Sequence, residues 1–527
     1  MKKALVLVLC FAMLLTLAVG CAPQTTTTAG PTTTAKPGET TTEATTTMGP
    51  PAEIVYVYPL FSEQQDQAVI EAAINEISLA KLNVKVTLGA ISIANYQSQV
   101  PLKITGGEAM DLVCTLPGGP TLYATMVAQN QFKDITDLAP MYAQPAIDAF
   151  NAVNPKYLSG AYIGGKLYGL PNLFDKVSST YLDFKKAPLD DAGIDLTKIK
   201  NITDLEAIAK TLKETSDIPV FGSSGNAWGR VLASSARFTN YDDFATLIVA
   251  EFFSSAEWAY GAIIGDDNTT VVNAYESDNY KQQIAIARDW FLKGYISKDA
   301  ATQMDSGYAI IKANGALAQI TDGEIGHQTF VSNQTGFDMT SVVIAPAIVN
   351  TGIMQKFITG LPVTCKNDEA ALKFLSLLYT DADVVNLLNF GIEDEYYVTN
   401  ADGTISLPAG VDPTSARYWV NSSFMFGSQF LAKVVKPDPA DLRQQALELN
   451  KNATTSPMLG FAVDPSAFTN EYTAVINTIT QYGPGLTAGS SDPATVYPQF
   501  LAALNDAGMQ TIIAKVQEQV DAFVASK

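Results

Sequence analysis

Histidine is almost missing: His327 is the single one among 527 residues. Zinc centres built from several imidazoles are thereby excluded, and a Ser-His-Asp triad would rest wholly on that residue. The four cysteines, at 10, 21, 114 and 365, form no CxxC pair. Neither a disulfide scaffold nor a zinc ribbon fits them, so no metal and no cofactor is expected. Positive charge is scarce too, with 33 Lys and Arg against 53 Asp and Glu and a formal charge of −20. A nucleic-acid surface needs clustered basic side chains that release counterions, and no nucleic-acid partner is expected. No repeat of about 20–50 residues recurs, which excludes solenoids and propellers.

What is present begins at the N-terminus. Lys2 and Lys3 precede an apolar run from Ala4 to Val19. That run matches a secretory leader over 1–20, being shorter than the ~20 residues of a membrane span. It ends in Leu17-Ala18-Val19-Gly20-Cys21, which resembles the lipobox of bacterial lipoproteins. The resemblance implies a diacylglyceryl group on Cys21, although Ala18 stands where leucine is usual. Residues 21–53 then form a Thr/Pro/Gly tract with almost nothing apolar to bury, hence a disordered tether. About 30 such residues reach roughly 30 Å. The expected location is the outer face of a cell membrane.

The folded body starts at Ile54. Ile54-Val55-Tyr56-Val57-Tyr58 reads as a buried strand, Ala68 to Ile77 as a helix, and Val84 to Leu88 as a second strand. Another helix runs to Ile104, and Asp111-Leu112-Val113-Cys114-Thr115 is the next strand, ending in Leu116-Pro117-Gly118-Gly119-Pro120. Strands alternating with helices predict an α/β fold with a mostly parallel sheet, whose ligands collect at the carboxyl ends of the strands. The segments 58–61 and 115–120 fall there. Thr203-Asp204-Leu205-Glu206 reads as a capping box. Residues 368–388 read as two short helices broken near Asp381-Ala382-Asp383, and the tail from Pro498 as a helix pair broken at 505–508.

Four passages resemble extracellular solute-binding proteins of family 1, the lipoprotein components of carbohydrate ABC importers (the long, Gram-positive-type subgroup). They are Leu167-Tyr168-Gly169-Leu170-Pro171-Asn172 with 181–214; Phe357 to Thr364 with the helix from Asp368; Phe424-Met425-Phe426-Gly427-Ser428-Gln429-Phe430; and Ser456 to Phe461 with the C-terminal tail. The resemblance implies a two-lobed, maltose-binding-protein-like fold with a hinge and an interlobe cleft. One lobe would hold 54–165 plus 305–360 and the other 172–300 plus 365–527. Crossings would fall near 166–171, 300–308 and 360–364, where Gly165, Gly169, Pro171, Gly360 and Pro362 suit a hinge.

A sugar offers flat C–H faces to aromatic rings and hydroxyls to polar side chains. Trp228, in the Gly/Ser-rich loop 222–230, has little to pack on, and with Asn226 and Arg230 it is a candidate ligand contact. Trp419 and Phe426 are further candidates, followed by Tyr58, Thr115, Tyr168, Asn172 and Asp175 at strand ends and the crossing. Hinge packing is the plain alternative for the tyrosines. Trp258 and Trp290 read as core, His327 as an exposed turn residue, and Cys114 and Cys365 as buried thiols. No run of basic residues adjoins the expected cleft, which disfavours polyanionic ligands, while Arg230 and Arg417 leave room for one carboxylate.

Three function classes follow. The first is a non-catalytic, monomeric receptor that captures an oligosaccharide and passes it to ABC permease subunits. The second is a secreted glycoside hydrolase working with two carboxylates, for which no recognisable motif is present. The third is a surface adhesin.

Overall fold

The computed structural model describes residues 49–222, 240–244, 250–253, 261–264, 269–303 and 305–527. The leader, Cys21, most of the tether, Asn226, Trp228, Arg230 and Trp258 lie outside the described residues. Pro50–Lys527 forms one compact unit. Among the described residues no helix is long and apolar enough to cross a membrane.

Among the described residues the two larger sheets are built from eight strands: β1 (Ala52–Leu60), β2 (Val84–Ser92), β3 (Leu112–Cys114), β4 (Gly169–Pro171), β5 (Ser179–Lys185), β6 (Ala318–Gly323), β7 (Met339–Ala345) and β8 (Ile358–Gly360). The first sheet has the order β2-β1-β3-β8-β4. β1 pairs in parallel with β2 and β3, while β8 runs antiparallel to β3 and β4. The three strands read from the sequence are these parallel ones. β1 is β-branched and aromatic because it is covered on both faces, and Tyr56 to Leu60 are all buried. One cover is the helix Gln67–Leu82, which turns Ile70 and Ile74 inward and ends where Asn83 takes a left-handed φ of 54°. At the far edge Gly169 faces Gly360. A Cβ on Gly169 would lie 2.7 Å from the Thr359 carbonyl, so the two hinge strands meet at a distance only glycine permits.

The second sheet is an antiparallel trio, β6-β5-β7. Leu182, Phe184, Ala318 and Ile320 join Leu205, Leu212, Phe221 and Trp290 in its core. Trp290 stacks on Phe221 at 4.6 Å, as a core tryptophan should. A third core unites Tyr275, Tyr280 and Ile284 with the C-terminal helices Thr469–Thr487, Pro493–Asp506 and Met509–Ala525. The tail therefore breaks where the sequence places it.

Packing corrects the division of the chain. Residues 305–360 were assigned to the first lobe, yet β6 and β7 fill both edges of β5 in the second sheet. Residues 365–527 were assigned to the second, yet Phe374, Leu375 and Leu378 share the core of β1. Helical periodicity reports that a face is apolar, not which sheet it covers. The capping box is corrected as well. The helix Ile202–Thr215 is capped by Asn201, whose Oδ1 accepts from Asp204 N at 3.0 Å. The break near 381 is as expected, with Asp381 accepting from Asp383 N and Val384 N.

Candidate functional site

Because β1, β2 and β3 run in parallel, their carboxyl ends open on one edge, where the chain of β1 continues into Phe61. Tyr58 does not point there. It is buried, 5.2 Å from Tyr56 and edge-on to Phe426 at 5.2 Å. Phe426 has no exposed surface. Trp419 is 7% exposed and packs on Phe390 at 5.1 Å. These three expected sugar platforms are core residues in this structure, since a ring enclosed by other rings has no free face. Trp419 does reach the same edge through its backbone, its N–H donating to Gln64 Oε1 at 2.6 Å.

Thr115 and Asn172 are corrected in the same direction. Both are buried. Thr115 clips β3 to the hinge, its N–H donating to the Ile358 carbonyl at 2.7 Å and its Oγ1 accepting from Ile358 N at 2.9 Å. Asn172 N donates to the Phe357 carbonyl at 3.0 Å, and its Oδ1 accepts from Thr359 Oγ1 at 3.4 Å. Tyr168 is half-buried and its backbone N–H donates to the Tyr123 hydroxyl at 3.1 Å. These residues shape the crossing.

A line of phenylalanines takes their place. Phe61, 54% exposed, lies 6.3 Å from Phe424; Phe424 lies 4.8 Å from Phe357, and Phe357 6.0 Å from Phe174. Phe424 and Phe357 are half-buried, and Phe174 is the enclosed end. The strip thus runs from solvent at the end of β1 to the hinge before β8. Two signals for it stood in the sequence: an aromatic immediately beyond a strand's carboxyl end, and three phenylalanines within 424–430. Which of the three faced outward was not readable.

Polar groups gather beside the strip, where the two sheets' bodies meet. Asp175 N donates to Gln429 Oε1 at 3.1 Å. The Asp175 carboxylate accepts from Asn450 Nδ2 at 2.8 Å, Val177 N at 3.0 Å and Ile325 N, beyond β6, at 3.3 Å. Burial pushes its pKa up to about 6 despite those bonds. Gln429 Nε2 and Arg443 Nη2 both donate to Ser423 Oγ, at 3.0 and 3.3 Å. Arg417, by contrast, is paired with Asp66 and lies 3.6 Å from Glu395. Its candidacy for a ligand carboxylate is corrected accordingly.

His327 is buried rather than exposed. Its ring stacks on Tyr181 at 4.3 Å, with Nε2 3.1 Å from an Asp183 oxygen. Cys114 and Cys365 are buried free thiols. Among the described residues no three His, Cys, Asp or Glu side chains gather as a metal site requires.

An α/β body with two sheets, each carrying its own core, and hinge strands at the edge of the first is the architecture of the two-lobed solute-binding proteins. The profile described as bacterial extracellular solute-binding protein matches residues 62–385, and the chain belongs to that family. A second profile, described as a domain of unknown function (DUF3502), matches 457–525, the C-terminal helices. In Streptococcus pneumoniae, a carbohydrate ABC transporter substrate-binding protein is 22% identical over 483 residues, 90% of this chain and 91% of that one. The crystal structure of an N-glycan transport solute-binding protein from the same organism superposes with a TM-score of 0.74 at 20% identity, covering 90% of this chain and 99% of that one. A solute-binding protein from Bifidobacterium longum infantis, described as HMO-binding and ABC-transporter-associated, gives 0.61 at 15% identity over 90% and 99%. These relatives are transport-associated binding proteins.

Proposed function

We propose that this protein is a non-catalytic receptor that captures an oligosaccharide between its lobes and delivers it to an ABC permease. The observation that carries the reading is the Phe61–Phe424–Phe357 strip, open to solvent at one end and flanked by Asp175, Gln429 and Ser423. Aromatic planes beside placed polar groups are what sugar C–H faces and hydroxyls require. In this reading one lobe holds 50–171 with 358–456 and the other 179–345, with the hinge between. Ligand closes them by touching both sides at once, which is the only way it shifts their populations. Trp228, Asn226 and Arg230 are carried as candidate ligand contacts in this reading. Cys21 carries the lipid, and 21–53 is the leash on the outer membrane face. The carbohydrate relatives and the family's extracellular character support the class of ligand and the location.

A thermal-shift screen against an oligosaccharide panel, followed by mass spectrometry of the recovered glycan, tests this. A glycan that raises Tm and returns at unchanged mass supports the receptor. Cleavage products would establish a hydrolase instead, and indifference to every glycan removes the reading.

A further inference from the structure

The aromatic strip is not equally open along its length. Phe61 is 54% exposed, Phe424 and Phe357 are half-buried, and Phe174 keeps only 8%. Backbone as well as side chains close the Phe174 end. Leu173 N donates to the Gly427 carbonyl and Gln429 N to the Leu173 carbonyl, each at 2.7 Å. The crossing is thereby laced to the segment that follows Phe426. Phe174 and Phe357 meet edge-on at 6.0 Å, and Lys176 Nζ sits 3.4 Å over the Phe174 ring. Phe174 has no plane left for a sugar, and a chain lying on Phe424 and Phe357 has no way onward through the crossing. At the opposite end, the residues after Phe61, Ser62 and Glu63, are exposed.

Phe357 carries a second, independent sign. Its φ is 55°, in the left-handed region, which is unfavourable for a bulky side chain. Such a conformation persists only where its surroundings fix it, and residues held this way gather at ligand contacts. Here the Asn172 N–H holds the Phe357 carbonyl at 3.0 Å, and the ring lies 4.8 Å from Phe424. Phe357 is thus the innermost ring of the strip with surface to offer. The next residue opens β8, one of the hinge strands.

Resting on the oligosaccharide reading above, we infer that the protein takes its glycan end first. One terminal sugar seats on Phe357 against the enclosed Phe174, and the sugars that follow lie outward over Phe424 and Phe61 into solvent. The ligand class is linear oligosaccharides with that terminus free and the other unrestricted; a chain is not gripped by its middle.

Calorimetric titration of the full-length protein tests this, using linear oligosaccharides of hexoses, N-acetylhexosamines and xylose, from disaccharide to hexasaccharide. Each is offered free, with a polyethylene glycol chain on its reducing end, and with the same chain on its non-reducing end. One placement should lower affinity by about 10-fold or more, and the other should leave it within about two-fold. Among free glycans, affinity should rise with length until Phe357, Phe424 and Phe61 are each covered, then level off. The loss in Phe61→Ala should grow with chain length, while the loss in Phe357→Leu should be as large for the shortest bound glycan as for the longest. If Phe357→Leu does not fold, the two placements on wild type still decide. Equal tolerance of both placements, or equal exclusion by both, overturns end-first capture and leaves the receptor standing. No binding by any free glycan overturns the receptor reading and this one with it.

Discussion

β1 and β5 are both enclosed on two faces, but by different means. Around β1 the cover is apolar and aromatic: Tyr56, Tyr58, Phe374 and Phe426 meet ring against ring at 5.2–6.4 Å. Around β5 one face is apolar, through Leu182 and Phe184, and the other is polar. There Asp183 accepts from Ser341 Oγ at 2.6 Å and Gln319 Nε2 at 3.0 Å, with His327 Nε2 at 3.1 Å. An apolar core loses stability in proportion to the volume removed, whereas a buried polar cluster depends on every member being satisfied. The proposed binding edge lies on the aromatic side of this contrast.

The largest effect should come from breaking the polar face. Asp183→Ala leaves the buried Gln319 and His327 and the half-buried Ser341 without their partner and is expected to cost about 3–5 kcal/mol, read as a fall in denaturation midpoint. A cost under about 1 kcal/mol would show that water replaces the carboxylate freely. Phe426→Ala should cost about 3–4 kcal/mol by leaving a cavity beneath Tyr58, while the folded protein keeps its glycan affinity. A large affinity loss without destabilisation would return Phe426 to the binding surface. Gly360→Ala would place a Cβ 2.8 Å from the Tyr168 carbonyl and 2.9 Å from the Phe132 ring. About 2 kcal/mol should be lost as the hinge strands are forced apart, measurable by chemical denaturation.

Asp175 gives a pH-dependent version of the comparison. Its folded pKa, near 6, lies above the usual carboxylate value, so the folded state holds the proton more tightly than the unfolded one. The stability it contributes is present below about pH 4 and is lost as pH rises through about 6. Relative to Asp175→Asn, wild type should therefore lose roughly 1–2 kcal/mol between pH 4 and 7; parallel pH profiles would contradict that. The smallest effect is at the exposed end of the strip. Phe61→Ala should leave stability within about 0.5 kcal/mol and weaken glycan binding by about 1 kcal/mol, roughly five-fold, in calorimetry.

The parallel strands of the first sheet were readable because Ile54 to Tyr58, Val84 to Leu88 and Leu112 to Cys114 are locally β-branched and apolar. The helix breaks at 381 and 505–508 were readable because caps act within a turn of chain. The ownership of β6 and β7 was not, since an antiparallel edge accepts any strand of suitable pattern. At the site, the region was legible and the side chains were not. The segment 58–61 was correctly placed at a carboxyl end, but a strand's alternation sends Tyr58 inward, and Phe61 lies just beyond it. The FMFGSQF passage likewise held both a platform, Phe424, and a core ring, Phe426.

The sequence by itself determined the α/β class and the parallel strands of the first sheet, because short-range periodicity carries them, and the family resemblance, because its motifs are contiguous. Only the tertiary structure decided that Arg417 is neutralised by Asp66, and that Asp175 is held by Asn450 while its backbone N–H meets Gln429. The reason is that charge pairing and burial depend on distances between residues hundreds of positions apart, and a linear pattern holds no record of those distances.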